Sequence, residues 1–390
     1  MRDSFTVQTT VADGKENYYK GLTMTFGVIK YSSPLATGVV GEDGKVVLKC
    51  KDDFTKYVGL KVWFGVKGMV KFIHELTDEE VSSGTLTLPD KDFGSTVNGK
   101  QNDWVVALYM GINKGGEPDG VPLYWATGNL VTEKINAQGE ASQVVYRIAT
   151  EAESIEECNA EGGFMRIVRE ADGKGILTLN AADAYVDMPA NTKWNTYQFG
   201  DNTGLRLYDM ENLKQFVEDT KQKEGDGIVS EISGNKSFDV ATQLGGNWRM
   251  PTGGRKGNSE VAAFLENVED YTGEKLSRSV YGSKETAATE GAGFKFDYVV
   301  KIDGREICIN TLKFPNCGFR HANMNFPAIG GQGMYWTATA DPSGETKIYH
   351  RESVEVTPYT VAFNFGYQPD YVWWFGHPRT SGMAIRPVIE

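Results

Sequence analysis

The chain has 390 residues with 40% hydrophobic and 24% charged side chains, which is typical of a folded globular protein and not of a disordered one. Its formal net charge of -12 argues against nucleic-acid binding and against adsorption to anionic lipid, because both need a basic surface. No apolar run approaches the ~20 residues that cross a bilayer. The length predicts two or three domains.

The N-terminal part has the pattern of an all-β domain. Short runs rich in β-branched and aromatic residues, such as 22–28 and 103–110, are separated by turn residues. Their spacing predicts a β-sandwich, and 103–110, the most apolar run, is predicted to be a central strand. The segment 113–120 is dense in Gly, Pro and charge, so we predict a linker there, with domains at 1–118 and 119–390.

Residues 119–390 combine strand patterns with two helical patterns, which predicts an α+β domain. Helical spacing of apolar residues occurs at 209–217 and again at 261–268, where Ser259 is a suitable N-cap. The dipeptide at 303–304, Asp-Gly, lies between two apolar runs and predicts a two-residue β-hairpin. The predicted fold class is therefore an N-terminal β-sandwich followed by an α+β domain.

Three motifs in the last third of the chain place an arginine or an aromatic residue beside Gly or Pro, a combination that fixes loop corners. Arginine can bond several loop carbonyls through its fork of donors, and a tryptophan can anchor a loop against a small core. We therefore predict that the motif residues have a structural role and not a chemical one. These residues are Trp248, Arg249, Pro251, Arg320, Trp336, Arg379, Gly382 and Arg386.

The order of these motifs is more specific than any one of them. The first motif is Trp-Arg-x-Pro-Thr at 248–252. The second is Phe-Pro-x-x-Gly-Phe-Arg at 314–320 followed by Gly-x-Gly-x-Tyr-Trp-Thr-x-Thr at 331–339, and the third is Arg-x-x-Gly-x-x-Ile-Arg-Pro-Val at 379–388. Together they resemble the major paralogous (FISUMP) domain of bacterial cell-surface proteins, a branch of the C-type-lectin-like fold. The resemblance covers residues 121–390. The N-terminal part resembles, more loosely, the Ig-like or fimbrillin-like β-sandwich modules of Bacteroidetes surface proteins.

The resemblance implies an exported, non-catalytic protein of the outer-membrane surface that takes part in recognition or adhesion, with a lipid anchor as one option for the full-length form. No export signal is visible at residues 1–5, so the residues alone leave a cytoplasmic protein open, whereas the resemblance favours a removed signal. The implied ligand is a glycan or a surface protein, and other pilus subunits are further candidate partners. A pilus-tip structural subunit and a glycoside-processing enzyme are the alternative functions.

An aromatic hairpin at 365–377 supplies the candidate binding surface, together with the loop 330–336 and residues 321–325. Neighbouring strand residues point to opposite faces, so Trp373 and Trp374 cannot both enter one core face. An exposed tryptophan would suit stacking on a sugar ring or a protein hot spot, and burial of both, one on each face of a covered sheet, is the alternative. The candidate ligand-binding residues are Asn323, Tyr335, Tyr367, Tyr371, Trp373, Trp374 and His377.

Two oxygen-rich segments raise the question of a calcium ion. Gln-Pro-Asp at 368–370 matches a triplet that supplies calcium and sugar ligands in calcium-dependent lectins, and 201–204 offers further side-chain oxygens. Both are also ordinary turn sequences, and the triplet lies between two strand patterns. We therefore predict no metal and no cofactor, with calcium as the less favoured alternative.

Catalytic and redox patterns are weak. The four histidines are scattered, and no nucleophile-elbow, P-loop or zinc-protease motif occurs, so we predict that the chain is not an enzyme. Oxygen-dependent enzymes related to the FISUMP domain need paired cysteines near the C-terminus, and the last cysteine here is Cys317. Cys308 and Cys317 are the best disulfide candidate, and four buried thiols, including Cys50 and Cys158, are the alternative.

Overall fold

The computed structural model describes residues 3–9, 20–28, 35–66, 69–88, 106–116, 121–135, 143–159, 164, 178–180, 185–187, 190, 192–208, 216, 223–224, 227–228, 231–254, 259–265, 275–302, 305–321, 328–341, 361–368 and 371–390. In these ranges the chain is mostly β-strand with few, short helices, which agrees with the predicted fold class at the level of secondary structure. No helix in these ranges is long and apolar enough to span a membrane.

The N-terminal strands form two sheets. The strands are β1 (Ser4–Gln8), β2 (Thr23–Val28), β3 (Ala36–Val39), β4 (Lys45–Lys49), β5 (Lys61–Val66), β6 (Met69–Glu75) and β7 (Thr85–Thr87). Their orders are β4-β1-β7 and β3-β2-β5-β6, and β1 pairs antiparallel with β4 but parallel with β7. Side chains alternate between buried and more exposed along β1 and β4, as expected where one sheet face covers a core. Inward residues of both sheets, including Phe5 and Phe26, belong to one hydrophobic cluster.

The remaining strands form several small sheets. They are β8 (Ala107–Asn113), β9 (Pro122–Ala126), β10 (Leu130–Ile135), β11 (Gln143–Ile148), β12 (Thr178–Asn180), β13 (Tyr185–Asp187), β14 (Thr192–Trp194), β15 (Lys223–Glu224), β16 (Gly227–Ile228), β17 (Lys275–Tyr281), β18 (Gly293–Ile302), β19 (Arg305–Pro315), β20 (Gly333–Ala340), β21 (Val361–Gln368), β22 (Tyr371–Pro378) and β23 (Val388–Ile389). The three-stranded orders are β23-β9-β8, β11-β10-β14, β17-β18-β19 and β20-β21-β22. Ile302 pairs with Arg305, which confirms the predicted hairpin with its two-residue connection at 303–304.

The helices of the described ranges are single short segments. They are α1 (Asp78–Ser83), α2 (Glu151–Glu156), α3 (Glu260–Leu265) and α4 (Ala287–Glu290), with 3-10 turns at Phe54–Tyr57, Lys114–Gly116 and Val240–Leu244. The predicted N-cap of α3 is present, because Ser259 Oγ accepts a hydrogen bond from Ala262 N at 3.1 Å. The structure ends α3 at Leu265, and the predicted helix at 209–217 lies outside the described residues apart from Phe216.

The pairing of β8 with β9 crosses the predicted domain boundary. Leu108 pairs with Trp125 in this antiparallel ladder, so the run predicted as a central strand of the first domain belongs to a sheet of the C-terminal part. The segment 113–120 therefore connects two strands of one sheet. Gly, Pro and charge mark both kinds of connection, and composition alone cannot separate them.

Two large clusters of buried hydrophobic side chains fill the described structure. The larger one contains the N-terminal sheet residues together with C-terminal residues such as Trp248, Trp336 and Ile389, so the two parts of the chain share one core. The second is rich in aromatic residues, and Trp125 and Phe314 lie within it. It is formed by β8, β9, α3, β18, β19, β20, β21 and the C-terminal segment.

Candidate functional site

Arg386 lies fully buried between segments that are distant in the chain. Its Nε donates to Asn129 Oδ1 at 3.0 Å, and its two terminal nitrogens donate to the carbonyls of Ala126 and Lys313, each at 2.9 Å. Its guanidinium carbon lies 4.5 Å from the ring centroid of Phe314. A guanidinium can donate in several directions at once. The Arg386 side chain thus joins the C-terminal segment to three places: the end of β9, the loop that precedes β10, and strand β19.

The carboxylate of Glu157 extends this network. Asn129 Nδ2 lies 3.1 Å from both carboxylate oxygens, and Asn195 Nδ2 donates to one of them at 3.0 Å. Burial raises the pKa of Glu157 to about 7, and the amide donors and the charge of Arg386 act in the opposite direction. The network therefore contains a carboxyl group that can change its protonation state near neutral pH.

Arg249 is held by acidic partners. Its guanidinium forms a bidentate pair with Glu260 at 2.9 and 2.6 Å, and its Nε donates to Glu390 at 2.9 Å. The neighbouring Trp248 is buried, and so is Pro251, whose carbonyl accepts the backbone N–H of residue 338 at 2.8 Å. This motif fixes the corner that leads to α3.

Arg320 is fully buried beside Gly382. The two residues exchange backbone hydrogen bonds at 2.7 and 2.9 Å, and a terminal nitrogen of Arg320 donates to the Thr380 carbonyl at 3.0 Å. A Cβ atom on Gly382 would lie 2.7 Å from Arg320 Nε, so this contact requires glycine. Burial lowers the pKa of Arg320 to about 9.

Arg379 and Trp336 complete the group of predicted structural residues. The Arg379 guanidinium carbon lies 5.0 Å from the ring centroid of Phe199 and 5.5 Å from that of Phe216. Trp336 is fully buried and donates from Nε1 to the Tyr197 carbonyl at 2.8 Å. The motif residues thus lie inside the described structure, where several of them donate to main-chain carbonyls.

Tyr335, predicted to bind ligand, is a core residue. Its hydroxyl donates to the Pro315 carbonyl at 2.7 Å, and its ring stacks on Phe365 with centroids 5.1 Å apart. The side chain is fully buried, so the prediction that it contacts a surface ligand is wrong. Tyr335 belongs to the aromatic-rich cluster. The residues around it in the sequence did not show whether its side chain would be buried or exposed.

The other predicted ligand-binding residues divide into two groups. Tyr367, Tyr371, Trp373 and Trp374 have their backbones in β21 and β22, and their side chains lie outside the described part of the structure. Asn323 lies outside the described residues altogether. In the strand register, position 374 is opposite the buried Phe365 and position 373 is opposite Gly366, also buried.

His377 belongs to a compact cluster of rings that we call the imidazole surface, formed by Phe319, His321 and His377. The ring centroid of Phe319 lies 4.7 Å from that of His321 and 5.5 Å from that of His377, and the centroids of the two imidazoles are 6.3 Å apart. His321 is exposed, His377 is half-buried, and the ring of Trp336 lies 6.4 Å from His377. Sequence reasoning placed residues 321–325 near the hairpin but did not identify Phe319 as the contact between the two histidines.

The imidazole surface has a distinct electrostatic setting. Partial desolvation of the ring, and to a smaller extent the charge of Arg320, lowers the pKa of His321 below its usual value. Burial and the neighbouring His321 lower the pKa of His377 to about 4. Both imidazoles are therefore neutral at pH 7, where each can donate one hydrogen bond and accept another.

The described residues give little support to a metal site. Asp201 is buried, and its carboxylate already accepts bonds from Thr203 N, Thr203 Oγ1 and Arg206 N at 3.0, 2.7 and 2.7 Å. The segment 201–204 is thus a self-bonded turn, and residues 369–370 of the second candidate lie outside the described ranges. Within those ranges, no three His, Cys, Asp or Glu side chains are placed to hold a metal.

The predicted disulfide between Cys308 and Cys317 is wrong, because Cys317 is a free, buried thiol. Cys308 lies within β19 and Cys317 follows the end of that strand, and an extended chain rises ~3.3 Å per residue. The strand therefore carries the two positions apart. Cys50 and Cys158 are also free and buried.

Together these features define a predominantly β protein with a buried arginine framework and an imidazole surface at one edge. Comparison with known protein families, with curated proteins and with solved structures finds no match for this chain.

Proposed function

We propose that this chain is a non-catalytic recognition or adhesion protein, exported to the cell surface, that binds a glycan or a protein ligand at the imidazole surface. In this proposal the C-terminal region is a C-type-lectin-like domain of the FISUMP kind. The N-terminal sheets are an Ig-like or fimbrillin-like spacer. The motif order at 248–388 supports the first assignment, and the two N-terminal sheets with one shared core support the second.

The observation that carries the proposal is the different burial of neighbouring residues. Arg320 and Trp336 are fully buried and bond main-chain carbonyls, whereas His321 is exposed and His377 is half-buried beside it. Phe319 packs against both imidazoles. Preorganised rings with polar edges suit the recognition of sugars and of protein surfaces, because little side-chain entropy is lost on binding.

The buried carboxyl groups support a structural role in preference to catalysis. Asp239 accepts backbone hydrogen bonds from Gly234, Ala241 and Met250 at 2.8 to 2.9 Å. Burial raises its pKa to about 6, but each acceptor position is directed at the main chain. Such a group stabilises loop corners, and the same holds for Asp201.

A glycan and glycoprotein array, probed with the wild-type chain with and without EDTA, tests the proposal. We expect binding in both conditions, and we expect His321→Ala and His377→Ala to lose it while their melting temperatures stay close to that of the wild type. His74→Ala is the matched control, since His74 lies in β6 and bonds Glu80 at 2.8 Å. Absence of any bound glycan or glycoprotein in both conditions would favour the pilus-subunit alternative instead.

A further inference from the structure

The two histidines of the imidazole surface lie close to the separation of two ligands on one metal ion. Their ring centroids are 6.3 Å apart and the ring planes are inclined by 37°, so the rings are not stacked face to face. Zn²⁺ bonds an imidazole nitrogen at about 2.0–2.1 Å, which puts the centroids of two rings on one ion about 5–6 Å apart. His321 is exposed, and exposed side chains rotate readily. The pair therefore needs little rearrangement to hold one ion.

Hydrogen bonds fix the two chain segments that carry these rings. Arg320 and Gly382 exchange backbone hydrogen bonds at 2.7 and 2.9 Å, directly beside His321. The carbonyl of Thr380 accepts two more bonds, one from a terminal nitrogen of Arg320 at 3.0 Å and one from Gln198 Nε2 at 2.7 Å. Ligands whose backbones are already in place lose less conformational entropy when they bind. The fold thus brings the two imidazoles together before any ion is bound.

The chemical state of both rings suits a transition-metal ion. Histidine binds metals as the neutral imidazole, which is the form of both rings at pH 7. Desolvation, and to a smaller extent a charged neighbour, lowers the pKa of each ring, so protons compete weakly with a metal here. Imidazole nitrogen suits Zn²⁺, Cu²⁺ and Ni²⁺, whereas Ca²⁺ and Mg²⁺ take oxygen ligands. The geometry and the ligand type thus select the same class of ion.

We propose that His321 and His377 together bind one divalent transition-metal ion, Zn²⁺, Cu²⁺ or Ni²⁺. Each imidazole donates the lone pair of one ring nitrogen to the ion, and two metal-bound waters leave. Within the described ranges no third His, Cys, Asp or Glu ligand completes the set, so the site binds its ion reversibly and is not a closed structural site. The charge of Arg320 acts on His321 and opposes a bound cation, so we expect Cu²⁺, the strongest binder of the three, to have the highest affinity. This inference goes beyond the proposed recognition function.

Titration of the full chain with Zn²⁺, Cu²⁺ and Ca²⁺ by calorimetry, with no saccharide present, tests this inference. We expect saturable binding of Zn²⁺ and Cu²⁺ and none of Ca²⁺. His321→Gln and His377→Gln should each weaken Zn²⁺ binding by at least about tenfold, since loss of a mere supporting partner costs about 10–100-fold. His74→Gln is the matched control, because His74 lies in β6 and bonds Glu80. Electron paramagnetic resonance of the Cu²⁺ complex should detect two imidazoles in the wild type and one in either single variant.

Three results would overturn the inference. Absence of saturable Zn²⁺ and Cu²⁺ binding would exclude the site, and binding that persists in the double variant of His321→Gln and His377→Gln would place the ion elsewhere. Loss of affinity in only one single variant, with melting temperatures of the metal-free variants near that of the wild type, would show that the pair does not act together. The array tests recognition without added metal, so failure of the metal site and failure of the recognition function are distinguishable.

Discussion

Replacing Arg386 by methionine tests the arginine framework quantitatively. The change removes three hydrogen bonds of the buried guanidinium, from Arg386 to Asn129 Oδ1 and to the carbonyls of Ala126 and Lys313. A bond from a charged group contributes about 1.5–3 kcal/mol, and loss of a buried charge recovers part of that through desolvation. We therefore expect a loss of about 3–5 kcal/mol in the free energy of unfolding, which is a large share of the about 5–15 kcal/mol typical of a folded protein.

Urea unfolding at pH 7, followed by tryptophan fluorescence, measures this loss. Arg386→Lys keeps the charge but cannot span three acceptors, so it should lose about half as much as the methionine variant. Lys56→Met is the control, because Lys56 forms an exposed ion pair with Asp52 and should cost less than about 1 kcal/mol. A free energy of unfolding for Arg386→Met within about 1 kcal/mol of the wild type would refute the proposed role of the framework.

Three further predictions follow from the described contacts. A fragment that begins at residue 119 lacks β8, the partner of β9, so it should be less stable to urea than a fragment that begins at about residue 100; equal stability of both would contradict the shared sheet. Gly382→Ala should lower the melting temperature by several degrees by displacing the Arg320 side chain, and an unchanged melting curve would count against that contact. Burial raises the pKa of Glu157 to about 7 in the folded state, whereas the unfolded value is about 4.5. The protonated carboxyl therefore stabilises the fold fully below a pH of about 4.5, and the free energy of unfolding falls by up to about 3 kcal/mol as pH rises towards 7. Glu157→Gln should remove this loss, so parallel stability curves for variant and wild type between those pH values would contradict it.

Local signals in the sequence predict those parts of the fold that are themselves local. The Asp-Gly hairpin at 303–304 and the N-cap at Ser259 depend on a few adjacent residues, and the structure contains both. The predicted domain boundary depends on long-range strand pairing instead. Whether 113–120 separates domains or joins paired strands depends on which strand β8 contacts, and that information is not local.

The same limit applies to the candidate site. Arg386 and Asn129 are 257 positions apart, and Glu157 contacts two asparagines 28 and 38 positions away, so no spacing pattern could have joined them. The motif residues could be assigned a structural role because arginine beside Gly or Pro has a physical use in loops. Tyr335 lies in a strand whose successive residues are buried, so both of its faces are covered, and that depends on partners far along the chain such as Phe365.

The imidazole NMR signals of the full chain test the central claim, that recognition occurs at the imidazole surface, most directly. The chain has four histidines, so their ring signals can be assigned by single substitutions. On addition of a glycan or glycoprotein ligand selected from the array, we expect the signals of His321 and His377 to shift and to saturate together, with the signal of His74 unchanged. Saturable binding that leaves the His321 and His377 signals in place would contradict the account.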